Sequence, residues 1–108
     1  MSTLPKAEIL DLTGMVSYQS GSIVSRQIVK AEAGNVTLFA FDAGQELSEH
    51  TAPFDALLHV VEGEAEIVIS GAPYALQAGQ AIVLPANQPH AVKAMRPFKM
   101  LLTMMRAS

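Results

Sequence analysis

Residues 56–70 read ALLHVVEGEAEIVIS. In Glu64–Ser70 the apolar Ala65, Ile67 and Ile69 share one face, and Glu64, Glu66 and Ser70 share the other. A period of two is the signature of a half-buried strand, because successive side chains of an extended chain point to opposite sides. The preceding run, Ala56–Val61, is apolar on both faces with His59 inside it. Such a strand is expected where two sheets stack or where a sheet meets a second subunit. Glu62-Gly63-Glu64 and Ser70-Gly71-Ala72-Pro73 read as tight connections between antiparallel neighbours.

The same grammar extends outward. Turn signals recur at Gly14, Gly21, Gly34, Gly44, Gly63, Gly71, Gly79, Pro85, Pro89 and Pro97, with short β-branched and apolar runs between them. The strands expected from this spacing are Met15–Gln19, Ile23–Ala31, Asn35–Asp42, Ala56–Glu62, Glu64–Ser70, Pro73–Gln77, Ala81–Leu84, His90–Ala94 and Phe98–Met105. Val36, Leu38 and Ala40 alternate with Thr37, Phe39 and Phe41, so both faces of that run look buried. Pro5–Leu12 could hold a helical turn or an N-terminal strand, and almost no helix is expected elsewhere. Met100, Leu102 and Met104 fall on one face of the last strand, as adaptable core filler. The fold class is all-β, a sandwich or barrel.

The chain has 108 residues, the size of one domain. Half of them are hydrophobic and 16% are charged, which excludes a disordered chain. The absence of cysteine excludes a disulfide framework, a thiolate metal site and a cysteine nucleophile. The net charge of −3 disfavours a nucleic-acid partner. Residues 1–55 carry three basic and seven acidic side chains and residues 56–108 four and three, a mixed solvated surface. No run approaches a membrane span, and MSTLPKAEILDL lacks the basic and apolar regions of a signal peptide. A cytoplasmic protein with no membrane partner is expected.

Two segments carry candidate chemistry. The first is Gly44-x5-His50-Thr51-Ala52-x3-Ala56-x6-Gly63; the second is Gly79-x5-Pro85-x-Asn87-x2-His90-x3-Ala94. This spacing resembles the two motifs of the cupins, a jelly-roll family, over residues 36–105. The likeness is greatest to small stand-alone cupins whose first motif reads HxxPxDA, here His50, Pro53, Asp55 and Ala56. The resemblance implies a cupin jelly-roll β-barrel (double-stranded β-helix) as a single domain over 1–108. Residues 1–34 would supply N-terminal strands and a dimer arm.

In metal-binding cupins two histidines and a glutamate of the first motif, with the histidine of the second, hold one divalent metal. Here the first histidine is His50 and the last is His90, but the second histidine is Ala52 and the glutamate is Ala56. The glycine and asparagine of the second motif are Asn87 and Ala94. The resemblance thus implies His50 and His90 as the metal ligands, with a divalent metal as the cofactor, if one is held. Catalytic zinc usually takes three protein ligands plus water. The interior inferred from strand parity is His50, Ala52, Ala56, Leu58, Val60, His90, Val92 and Ala94. An apolar cup with a few convergent polar groups is the usual form of a small-molecule pocket.

His59 faces away from Leu58 and Val60 by parity, toward a subunit interface; a β-bulge would turn it inward. Asp55 lies one residue before the vacant glutamate position and reads as a turn residue after Pro53, unless a local irregularity brings it in. Tyr74 and Phe54 could border the pocket but are assigned to core packing, and Gln45, Glu46, Glu49 and Gln88 to solvated loops at the mouth. Three functions compete: a small-molecule-binding cupin, a metal-dependent enzyme of dioxygenase, isomerase or decarboxylase type, and a dimeric structural module. No catalytic residue is assigned. A homodimer is expected, since open sheet edges and an apolar outer face invite two-fold pairing.

Overall fold

The structure is a computed structural model, and residues 6–106 are described. A 3-10 turn, Leu12–Gly14, precedes nine strands: β1 (Ile23–Ala31), β2 (Gly34–Phe41), β3 (Glu46–His50), β4 (Phe54–Glu62), β5 (Glu64–Ile69), β6 (Ala72–Gln77), β7 (Ala81–Leu84), β8 (His90–Lys93) and β9 (Phe98–Arg106). They form a five-stranded sheet, β1-β2-β9-β4-β7, and a four-stranded sheet, β3-β8-β5-β6. Every pairing is antiparallel. Non-sequential neighbours such as β2-β9-β4 are the crossovers of a jelly roll. No helix among the described residues is long and apolar enough to cross a membrane.

The inner faces meet in one core. Phe41, Leu58, Val60, Ile67, Phe98 and Met100 are wholly buried, and the Phe41 and Phe98 rings stack with centroids 4.6 Å apart. Leu102 and Met104 pack against this core beside Met100, as their shared face requires. Two aromatic rings and a methionine thus fill the barrel at one end.

Of the two tight connections, Ser70-Gly71 joins β5 to its neighbour β6, and both residues have positive φ (50° and 83°). That is the pattern of a two-residue type I′ hairpin. The Glu62-Gly63-Glu64 connection differs from expectation. β4 and β5 lie in different sheets, so the chain there crosses from one wall of the barrel to the other. Gly63 has φ +81°, and a Cβ added to it would lie 2.7 Å from the Pro97 carbonyl oxygen and 2.9 Å from Phe98 Cβ. Only glycine fits this corner.

The N-terminal region also departs from expectation. Met15–Gln19 is not a strand, and residues 6–22 make no ladder at all. The helical turn expected within Pro5–Leu12 falls at Leu12–Gly14; Pro5 lies outside the described residues. Instead the segment straps the outer face of the five-stranded sheet. Val16 is buried with Ile28, Leu38 and Ala40, and Leu10, Leu12 and Met15 pack around them. Burying one such side chain contributes about 1.5–3 kcal/mol. This explains why β2 is apolar on both faces: its outer cover is the chain's own N-terminal segment.

A buried lysine ties the strap down. Lys99 Nζ donates to the Thr13 carbonyl at 2.6 Å, lies 3.7 Å from a Glu62 carboxylate oxygen and sits 4.9 Å from the centre of the Tyr18 ring. The Tyr18 hydroxyl donates to the same carboxylate. Desolvation, and then that carboxylate, push the Tyr18 pKa well above the ordinary phenol value.

Candidate functional site

His50 and His90 meet at the open end of the barrel, facing each other across the β3–β8 ladder. β8 is regular: Val92 pairs with Leu47 and points into the core, so His90, two residues earlier, points the same way. β3 is not regular. Leu47 and His50 are three apart and would take opposite faces in a straight strand. The register shifts between them, and the extra residue turns His50 to the inner side. β3 itself is a strand that the sequence reading missed, and His50 closes it.

Each ring is held by a backbone carbonyl two residues back. His50 Nδ1 donates to the Ser48 carbonyl at 2.8 Å, and His90 Nδ1 to the Gln88 carbonyl at 3.3 Å. A carbonyl oxygen only accepts, so in both neutral rings the proton sits on Nδ1 and the lone pair on Nε2. The two Nε2 atoms lie 3.1 Å apart, with the rings edge to face and their centroids 4.4 Å apart. Two lone pairs at that separation repel, so the pair favours donors that approach both nitrogens from the solvent side. His50 is exposed and His90 is buried. Burial, and then the neighbouring His50, hold the His90 pKa below the usual histidine value against the raising effect of the Gln88 carbonyl.

The loops behind the pair are latched together. Asp55 Oδ1 accepts from the Ala86 amide at 2.9 Å, and the Ala52 carbonyl accepts from the Asn87 amide at 2.7 Å. Asp55 therefore braces the turn before His90 from β4. Asn87, standing where the family motif has glycine, adopts φ +64°, a left-handed conformation that asparagine tolerates. Ala52 is half-buried in the loop between β3 and β4.

The remaining interior positions are core. Ala56, Leu58, Val60, Val92 and Ala94 belong to the main buried cluster. Four cavities, of 150–520 Å³, are lined by none of them and by neither histidine. His59 faces outward, paired between Leu101 and Ala81. Tyr74, assigned to the core from sequence, is 43% exposed on β6, an edge strand with a neighbour on one side only.

Sequence reading passed over three residues of the same barrel end. Register places Lys30 beside Asn35, Asn35 beside Met104, and Arg106 beside Phe54. All five share the inner face with Phe39, Phe41, Met100 and Leu58. Lys30 reaches it through a second register shift, between Gln27 and Val29; without that shift it would face outward with Val24 and Arg26. Parity along β2 does mark Asn35 as inward, since it falls in step with Thr37 and Phe39.

The fold and the paired histidines define a class. The cupin domain matches residues 37–104, and the chain belongs to the cupin family. It is similar to a conserved protein of unknown function from Streptococcus pyogenes, at 37% identity and TM-score 0.91, covering 100% of this chain and 97% of that one. It is also similar to a cupin 2 conserved barrel domain protein from Leptotrichia buccalis, at 40% identity and TM-score 0.87. The match covers 90% of this chain and 47% of that one, so this chain spans about half its length. A cupin superfamily protein from Desulfitobacterium hafniense matches at 25% identity and TM-score 0.89, covering 96% of this chain and 95% of that one. No curated protein matches the chain.

The donor set does not fit the divalent metal that the family implies. Two imidazoles converge, but the other two ligand positions are Ala52 and Ala56. Among the described residues no three His, Cys, Asp or Glu side chains cluster as a metal would need. A catalytic zinc takes about three protein ligands, and hard cations favour carboxylates.

Proposed function

We propose that this cupin binds a small molecule at the mouth of its barrel, with His50 and His90 as the polar anchor. The observation behind this reading is the convergence of two Nε2 acceptors at 3.1 Å, each imidazole fixed by its own carbonyl. A ligand group with two N–H donors, an ammonium or an amide NH2, satisfies both acceptors at once, and preorganised acceptors lose little entropy on binding. Histidine ring 15N–1H spectra recorded during a fragment screen test it. Ligands should shift the Nε2 resonances of His50 and His90 and leave the outward His59 unmoved. A screen in which His59 responds as strongly as the pair, or in which the pair stays silent, would remove the assignment.

A second reading, a homodimer, has its own observation. Val29, Val36, Thr103, Leu57 and Val83 pair in one row across all five strands of the larger sheet. They lie on its outer face beside the strap, and Val29, Leu57 and Val83 are exposed by 49%, 38% and 55%. A second copy laid on this row would cover it and bring His59 close to the interface. Sedimentation at micromolar concentration should give a dimer that Leu57→Lys converts to monomer; a monomeric native chain would refute this.

A further inference from the structure

We infer that the barrel mouth has a second subsite, apart from the donor-accepting histidine pair, where Lys30, Asn35 and Arg106 receive a small organic anion, a carboxylate with a short apolar tail. This rests on the reading of the mouth as a binding site and adds the ligand's chemistry. A cavity of 150 Å³ lies at the end of the barrel that carries the histidine pair, and Lys30, Glu32, Asn35, Phe54, Met104 and Arg106 line it. Phe54 follows His50 after a loop of three residues, so cavity and pair flank the same loop.

The lining suits a carboxylate in three ways. First, its two cations are not neutralised by the protein. Among the described residues the one ion pair within 4.0 Å joins Lys99 to Glu62, so neither Lys30 nor Arg106 is paired, even to Glu32 beside them. Second, Asn35 is oriented. Its Oδ1 accepts from the Thr37 hydroxyl at 3.4 Å, which leaves its amide N–H groups as donors. Third, Phe54 and Met104 supply an apolar wall for a short tail. The cavity is small beside the ~300–1,000 Å³ of drug-sized pockets, which limits the ligand to a few carbons. The register shift in β1 that aims Lys30 inward parallels the one in β3 that aims His50, and such irregularities re-aim side chains at functional rims.

Butyrate and its uncharged counterpart butyramide are the probes, titrated at constant ionic strength and followed by amide and histidine NMR. Butyrate should bind saturably in the millimolar range and shift the Asn35, Phe54 and Arg106 amides, and butyramide should not. Arg106→Gln and Lys30→Gln should each weaken butyrate by about tenfold, as loss of one charge-assisted contact would. Arg26→Gln, an exposed cation on the outer face, should leave it unchanged. Equal binding of acid and amide would overturn the anion inference while leaving the mouth a binding site. Absence of butyrate binding, or binding that neither Gln variant alters, would overturn it too.

Discussion

His50 Nε2 and His90 Nε2 lie 3.1 Å apart although forty residues separate them in the chain, and one extra residue in β3 is what brings them face to face. One member of the pair is in solvent and the other is buried, so they respond differently to change.

Acid should destabilise the protein through His90. Its folded pKa is lowered from 6.5, so in that window the unfolded chain binds more protons than the folded one. Stability from this group is therefore complete above the unfolded pKa and falls as pH drops through 6.5 toward the lower folded value. The slope should approach, but not exceed, about 1.4 kcal/mol per pH unit for one proton. Urea midpoints measured against pH check this, and His90→Asn should flatten the curve between pH 7 and the acid limb.

Replacement of the two histidines by alanine should differ in cost. His90→Ala leaves the Gln88 carbonyl without its donor and a gap in a buried row, and should cost about 1–3 kcal/mol. His50→Ala, at an exposed position, should change stability by less than about 0.5 kcal/mol. Denaturant titration at pH 8 measures both.

Lys99→Ala should loosen the strap. It removes the Thr13 carbonyl's donor and leaves Glu62 without a cation, at a cost of about 1–3 kcal/mol. Limited proteolysis should then cut within residues 12–20 faster than in the native chain, while Lys93→Ala on the other sheet should not have this effect. Equal cleavage in both variants would contradict the role given to Lys99.

Gly63→Ala should cost about 1–3 kcal/mol or more, since it combines a positive φ with a backbone clash at the corner between the sheets. Gly71→Ala, whose Cβ would meet nothing within 4 Å, should cost less. Thermal melts of the two variants give the comparison.

Protein purified without chelator or nickel should carry well under one equivalent of any transition metal by elemental analysis, because two imidazoles supply too few donors. One full equivalent that disappears in His50→Ala would show that exogenous groups complete the set.

Much of the barrel was legible because its strands obey simple parity. Glu64–Ile69 alternates cleanly, and in β8 Val92 falls in step with His90 as a period of two demands. β3 was not legible: Glu46–His50 is largely exposed and irregular, so no apolar alternation marks it. Met15–Gln19 has strand-like composition but lacks a strand to pair with, and its anchor, Lys99, is remote in sequence from Thr13. Lys30 and Arg106 escaped notice for a related reason. A shifted register hides the inward aim of one, and the other ends a strand whose apolar residues alone were read. The histidine pair was legible from motif spacing, whereas the tautomers of its rings required the carbonyls of Ser48 and Gln88.

The register shifts in β1 and β3 make the rim of this container adjustable while its walls stay fixed. Gaining or losing a single residue there rotates a side chain by half a turn and leaves Phe41, Phe98 and Met100 undisturbed below. Divergence of ligand preference among such barrels would then proceed through one-residue insertions and deletions at the lip, a kind of change that comparing residue identities position by position overlooks.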